Sequence, residues 1–164
     1  MHQVYLSLGS NIQPRLNLPR AIELLNAYGE IREVSQAWES VAVGSDGPNF
    51  LNACVLLATP LSQSEVKEKA IQSIEAELGR KRSADKNAPR TIDIDIVLFD
   101  DQLCDAKYCS QAFVIVPLAE IHPEYQNPPT QEKIIETAAR LRQKTWMETR
   151  PEVLAQFTGN SLRT

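Results

Sequence analysis

The succession of two-residue and helical periodicities along the chain predicts an α+β fold. Three observations carry this. Gln3–Leu8 and Arg90–Phe99 alternate as strands do, and Phe50–Leu57 is an almost unbroken apolar run suited to a central strand. Two segments between them carry helical stripes: Leu18, Ile22, Leu25 and Tyr28, then Val66, Ala70, Ile74 and Leu78. The order β, α, β, β, α, β, followed by a further strand and helices, reads as a ferredoxin-like split βαβ antiparallel sheet with helices on one face and added C-terminal helices.

Each element has a local reason. The first strand ends in Gly9-Ser10-Asn11, a turn. Pro19 suits the first turn of the helix that follows and Gly29 its end. Ile31–Ser40 reads as the second strand, and Ser45-Asp46-Gly47-Pro48-Asn49 as a loop. Ser62-Gln63-Ser64-Glu65 is a capping box, and its helix runs to Gly79, a natural C-cap. Asp100-Asp101-Gln102 makes a turn, and Cys104–Gln111 has no periodicity. Phe113–Val116 is a fourth apolar strand candidate, with a short helical turn at Pro117–Ile121. Ile134, Ile135, Ala138 and Leu141 mark another amphipathic helix; a shorter one spans Pro151–Phe157, and the tail Gly159–Thr164 reads as frayed.

A chain of 164 residues with 43% hydrophobic and 23% charged side chains has the composition of one globular domain. The expected organisation is a single domain over 1–164, with a core at 3–123 and a helical extension at 124–164. The net charge of −4, without a basic stripe, argues against nucleic acid as a partner. The absence of a signal peptide and of a long apolar run argues against a membrane and for the cytoplasm. Cys54, Cys104 and Cys109 form no CxxC pair, so neither a disulfide framework nor a zinc site is implied.

The informative stretch is Arg90–Phe99. Ile92, Ile94 and Ile96 point to one face, and Thr91, Asp93, Asp95 and Val97 to the other. The two carboxylates then stand ~6–7 Å apart. Hard oxygen ligands of this kind suit Mg²⁺, although a half-exposed edge strand has the same alternation. Arg80 and Arg82 follow the second helix, where the helix dipole alone favours cations, and Arg90 precedes the acidic pair. Read together rather than singly, these residues would make a compact phosphate–metal site. Asn52 is the one polar residue in an apolar strand, either a core amide with backbone partners or a reader of a heterocycle's edge. Glu68, Gln72 and Glu75 form a polar helix face.

Five segments in register resemble 6-hydroxymethyl-7,8-dihydropterin pyrophosphokinase of folate synthesis. They are Tyr5–Asn11, Phe50–Ala53, Gly79–Arg82, Pro89–Ile96 and Pro117–Ile121. The resemblance covers Val4 to about Pro123. It implies transfer of pyrophosphate from ATP to the hydroxymethyl oxygen of a reduced pterin, with AMP leaving. By position it implies two Mg²⁺ on Asp93 and Asp95, and Arg80, Arg82 and Arg90 as catalytic residues along the phosphate path. Gln72, Glu75 and Ile96 would complete the ATP site. Val43, Phe50, Asn52 and Phe113 would form the pterin site, with Phe113 stacking on the ring. ATP and a reduced pterin are the implied partners, and a monomer is expected.

The chain departs from the family pattern in several places. Val41-Ala42-Val43 stands near the usual Thr-Pro pair, Asn87 stands for a tryptophan, and Gln111 for an arginine. The segment between Phe99 and Phe113 is short and lacks the family's Arg-Leu-x-x-Pro-His stretch; the chain's histidines are His2 and His122. Three functions fit: an active pyrophosphokinase with a trimmed ATP loop, a paralogue using another pterin or alcohol, and a non-catalytic pterin-binding domain.

Overall fold

The centre of the sheet is β1 (His2–Ser10), in a computed structural model that describes residues 1–158 apart from Ser45, Arg82 and Lys86. Its neighbours are β4 (Phe50–Thr59) and β5 (Asp93–Phe99), both antiparallel. Ser7 lies between Cys54 and Asp95, and Gly9 between Asn52 and Asp93. β2 (Glu30–Val34) and β3 (Trp38–Ser40) both pair with the outer side of β4. β6 (Gln102–Leu103) extends the sheet beyond β5, and β7 (Met147–Thr149) beyond β3. The strand order, β6-β5-β1-β4-β3-β7 with β2 on β4, is the expected split βαβ sheet.

The expected strand at Ile31–Ser40 is two strands. The Ser35 hydroxyl accepts from the Cys54 N–H (2.9 Å) and donates to the Gln36 carbonyl (2.8 Å). Glu120 takes the Gln36 N–H (2.9 Å) and the Trp38 indole N–H (3.1 Å). A side chain that competes for ladder partners interrupts the ladder there.

Period-two alternation sorts the strands onto two faces, except at the β1–β5 register shift, where the adjacent Val97 and Leu98 join the same cluster. Val4, Leu6, Leu8, Leu51, Ala53, Val55, Leu57, Ile92 and Ile94 share one buried cluster. It is covered by α1 (Pro14–Leu25) and by a composite helix: α2 (Gln63–Glu65), a π turn at Val66–Ile71, and α3 (Gln72–Glu77). Tyr5, Cys54, Val97 and Leu98 belong to the opposite cluster, under α4 (Ala112–Ile121) and α5 (Ile134–Lys144). Helices therefore cover both faces, because the C-terminal additions occupy the side that the βαββαβ core leaves bare. α6 (Ala155–Thr158) follows a turn, starting later than the expected Pro151. The tail at 159–164, expected to fray, lies outside the described residues.

Two proline and glycine expectations change. Pro14, not Pro19, opens α1, and Pro19 lies inside it. The helix stops at Leu25, and Gly29 serves a close approach instead: a Cβ there would collide with the Ala58 carbonyl oxygen. Phe113–Val116, expected as a strand, is the start of α4. Short apolar runs are ambiguous in period, and here β6 and β7 already cover the outer sides of β5 and β3. A helix satisfies its own backbone groups where no strand edge is offered.

Candidate active site

α4 covers only part of its face of the sheet. Beyond its first turn, Ser7, Gly9, Phe50, Asn52, Asp93 and Asp95 line a cavity of about 260 Å³. Phe113 and Gln111 close it from the start of α4, and Val41 and Val43 from the loop after β3. Val43 is 73% exposed, an apolar side chain held at the rim. The two rim loops meet where Gly44, at φ +75°, comes against Asn87: a Cβ on Gly44 would sit 2.9 Å from the Asn87 amide nitrogen.

At the apolar end, Asn52 is buried at 3% exposure. Its Nδ2 donates to the Trp38 carbonyl (3.0 Å) and to Ser40 Oγ (2.7 Å). A carbonyl can only accept, so the flip of the amide is set by chemistry. Both donors are used, and Oδ1 lies on the Gly9 side as an acceptor. Gly9 keeps that floor open, since a Cβ there would stand 3.4 Å from Asn52 Oδ1 and 3.6 Å from the Phe50 ring. The result is an aromatic-walled slot with a hydrogen-bond acceptor at its base, suited to a flat heterocycle that carries an N–H.

At the polar end, Asp93 and Asp95 project from β5 on the same face. Arg80 Nη1 donates to Glu75 Oε2 (2.6 Å) and to Asp93 Oδ1 (2.8 Å). Arg90 Nη1 donates to Asp93 Oδ2 (3.2 Å). Local sequence aims these arginines. Gly79 takes φ +77°, and the Arg80 N–H returns to the Glu75 carbonyl (2.9 Å), a Schellman turn that folds Arg80 back over α3. The π turn brings Ile71 and Glu75 to the buried side, four residues apart. Glu75, only 5% exposed, thus leaves the polar face predicted for it, while Glu68 and Gln72 stay exposed. Its carboxylate also accepts from the Ile94 N–H (3.2 Å), locking the helix to β5.

Asp95 accepts no hydrogen bond and forms no ion pair among the described residues. Burial first, and the neighbouring Asp93 charge second, push its pKa up to about 6; Lys107 and Arg80 pull the other way. A strained pair of hard oxygen donors of this kind fits a divalent cation, because the cation relieves both causes at once. Among the described residues no group of three or more His, Cys, Asp or Glu side chains could hold an ion alone. Any metal here therefore needs further oxygens from a substrate or water.

A second cavity of about 410 Å³ shares Arg90 with the first and is lined by Arg80, Lys81, Arg90 and Lys107, with Asp85 as a carboxylate on the same wall. Its cationic wall and the acidic pair are separate surfaces of one site. Of the residues expected at the site, Val43, Phe50, Asn52, Arg90, Asp93, Asp95 and Phe113 line the first cavity, and Arg80 the second. Glu75 stands behind Arg80. Gln72 and Ile96 line neither cavity, and Ile96 packs against the first core cluster. Arg82 lies outside the described residues.

Two residues carry more than their sequence signal suggested. Asn11, 3% exposed, accepts from the Arg90 N–H with Oδ1 (2.7 Å) and returns its own N–H to the Arg90 carbonyl (3.1 Å). Its Nδ2 reaches the Pro48 carbonyl (3.3 Å), so it ties the Arg90 segment to the loop before β4. An asparagine in a turn after a strand was the only hint. Lys107 lies in the segment without periodicity, where no signal pointed to it.

An acidic pair flanked by arginines, facing an aromatic slot, is the equipment of a nucleotide-dependent transferase. Comparison with known proteins narrows the class. The profile of 7,8-dihydro-6-hydroxymethylpterin-pyrophosphokinase (HPPK) matches residues 5–123. The chain is 38% identical over 138 residues to the 2-amino-4-hydroxy-6-hydroxymethyldihydropteridine pyrophosphokinase of Aquifex aeolicus, covering 78% of this chain and 85% of that one. It is 35% identical over 140 residues to the enzyme of the same name from Pseudomonas aeruginosa, with the same shares covered. Among solved structures it is similar in fold to a Plasmodium falciparum HPPK-DHPS, with a TM-score of 0.65 at 14% identity. That match covers 87% of this chain and 44% of the longer one. The chain belongs to the 7,8-dihydro-6-hydroxymethylpterin-pyrophosphokinase family, a family of ATP-dependent pyrophosphokinases.

Proposed function

We propose that this chain transfers the pyrophosphoryl group of ATP to the hydroxymethyl oxygen of 6-hydroxymethyl-7,8-dihydropterin and releases AMP, as a cytoplasmic monomer whose catalytic core is 3–123. The observation that carries this reading is convergence. Phe50, Asn52 and Phe113 share one cavity with Asp93 and Asp95, and Arg90 is shared between its lining and that of a second cavity walled also by Arg80 and Lys107. The pterin lies between Phe50 and Phe113 beside Val43, with a ring N–H on Asn52 Oδ1. Its hydroxymethyl group then points toward the acidic end.

The alcohol oxygen attacks the β-phosphorus of ATP, the bond to the α-phosphate oxygen breaks, and AMP leaves as the alcohol proton is lost. Asp93 and Asp95 would hold two Mg²⁺, which would supply neutralisation of the charge on the polyphosphate. Asp93 keeps lone pairs beyond those used by Arg80 and Arg90. Those arginines, held by Glu75 and Asn11, present fixed positive charge to the phosphates and orient them. Arg82 joins them along the phosphate path, and Gln72 and Ile96 are left for the rest of ATP, as the resemblance implies.

The test is AMP formation by purified protein with Mg²⁺, ATP and the hydroxymethyl dihydropterin, with Asp95→Ala as control. AMP in the wild type and none in the variant is expected. No AMP above a protein-free control overturns the proposal.

A further inference from the structure

Residues beyond 123, where the family profile ends, reach the aromatic end of the site. β7 pairs with β3 and places Glu148 directly opposite Glu39, and Met147 opposite Ser40. Like charges facing each other across a ladder repel. Arg150 offsets that repulsion: its Nε donates to Glu39 Oε1 and its Nη1 to Glu148 Oε2, each at 3.0 Å. Its backbone N–H also donates to the Ala37 carbonyl (2.8 Å). The second oxygen of Glu39, Oε2, accepts from Asn49 Nδ2 (2.9 Å). Glu39 and Asn49 stand at the two ends of the rim loop that carries Val41 and Val43, so this bond closes the loop at its base. The Asn49 amide, ahead of Arg150, holds the Glu39 carboxyl below the ordinary carboxylate range, so the bridge stays charged at neutral pH. On either side of Glu39, Trp38 and Ser40 supply the acceptors that use both amide hydrogens of Asn52. One guanidinium thus steadies both the strand that orients Asn52 and the loop that walls the slot.

We propose that Arg150, in the C-terminal extension, is a positioning residue for the aromatic slot: through Glu39 and Asn49 it holds the rim loop closed at its base and sets affinity for the pterin rather than for the nucleotide. The identity of that ligand rests on the pyrophosphokinase reading. Arg150 lines neither cavity, so its influence passes through these bonds. Without it, β3 keeps its ladder with β4 and the two bonds from Glu120 just before and within the strand, so the fold is expected to survive the substitution.

The experiment compares wild type, Arg150→Met, and Arg150→Met combined with Glu148→Gln. Calorimetry gives Kd for a non-hydrolysable ATP mimic with Mg²⁺ and, with the mimic bound, for the hydroxymethyl dihydropterin; AMP formation gives KM and kcat. In Arg150→Met the pterin should bind roughly fivefold more weakly and its KM should rise in parallel, while kcat and the mimic Kd stay within about twofold. Removing the Glu148 charge as well should recover most of the pterin affinity, because the repulsion that Arg150 offset is then gone. Unchanged pterin affinity in Arg150→Met overturns the proposal. So does an equal loss toward both ligands, or a loss that Glu148→Gln does not repair. If Arg150→Met does not fold, Glu39→Gln, which keeps the shape and lowers the repulsion, is read in its place; the same split is expected, and unchanged pterin affinity overturns the proposal. Amide hydrogen exchange of the free protein keeps the ligand question apart. Exchange across β3 should quicken in Arg150→Met while exchange across β5 holds, and unchanged exchange in β3 overturns the proposal. Wild type that makes no AMP refutes the pyrophosphokinase reading, while the exchange comparison still decides the role of Arg150.

Discussion

One face of the sheet holds two regions built from the same strands with opposite properties. Under α4, Tyr5 of β1, Cys54 of β4 and Val97 of β5 are 7%, 1% and 1% exposed and pack against Leu118 and Ile115. One or two pleats along, the same strands present Ser7 and Gly9, Asn52, and Asp93 and Asp95 to an open cavity. The strands and their partners are common to both, with a register shift in the β1–β5 pairing between Tyr5 and Leu6; beyond that, what differs is whether a helix lies on top. The covered half gains stability from excluding water. The open half forgoes that gain and holds two carboxylates in a place where they repel.

The sharpest way to break this contrast is Asp95→Asn. AMP formation should fall by at least roughly a thousandfold, because transition-state charge stabilisation is the main contribution to phosphoryl transfer. The metal-free protein should become more stable. The Asp95 pKa is raised from 3.8 to about 6, so the folded state disfavours the ionised form. That penalty is fully present above pH 6, shrinks as pH falls toward 4, and is absent below. Urea denaturation without Mg²⁺ at pH 7 should therefore show a gain of up to about 3 kcal/mol for the variant, and no gain at pH 3.5. A variant less stable than wild type at pH 7 would falsify the account of the open half.

On the covered half the signs reverse. Leu118→Ala removes a side chain 1% exposed and should cost about 2–5 kcal/mol in denaturant titrations. KM for ATP and pterin should barely move in the protein that remains folded. A large KM change with little loss of stability would show that the two halves are not separable.

Asn52→Ala sits on the boundary between them. It strips partners from the Trp38 carbonyl and Ser40 Oγ and removes the acceptor at the slot's base. About 1–3 kcal/mol of stability should be lost, and pterin affinity should drop while affinity for the ATP mimic holds. Equal loss of both ligands in calorimetry would count against the assignment of Asn52 to the pterin end.

Gly9→Ala is the mildest probe. The added methyl finds ordinary contacts at 3.4 and 3.6 Å, so thermal stability should change by less than about 1 kcal/mol. It narrows the slot floor, and KM for the pterin should rise severalfold. Unchanged pterin KM would place the ring away from Gly9.

Much of the fold was legible because it rests on local chemistry. Two-residue alternation announced β1 and β5, and the capping box at Ser62 formed with both of its reciprocal hydrogen bonds. Gly79 took the left-handed conformation its place implied. Errors gathered where local signals were ambiguous or where a distant residue decided. Phe113–Val116 has no period to separate strand from helix. Ile31–Ser40 is broken by Ser35 and by Glu120, the latter 84 positions from the Gln36 amide it accepts.

Within the site, the amino-acid order alone determined that Asp93 and Asp95 share a face, since successive side chains of a strand must point opposite ways. It also determined that arginines crowd the chain on either side of the loop before them. Tertiary structure decided the rest. It buried Glu75 against Arg80, set the Asn52 flip, clamped Arg90 with Asn11 and brought Lys107 to the wall of the second cavity. Those outcomes depend on contacts between residues far apart in the chain, and periodicity carries no information about which distant group will stand opposite.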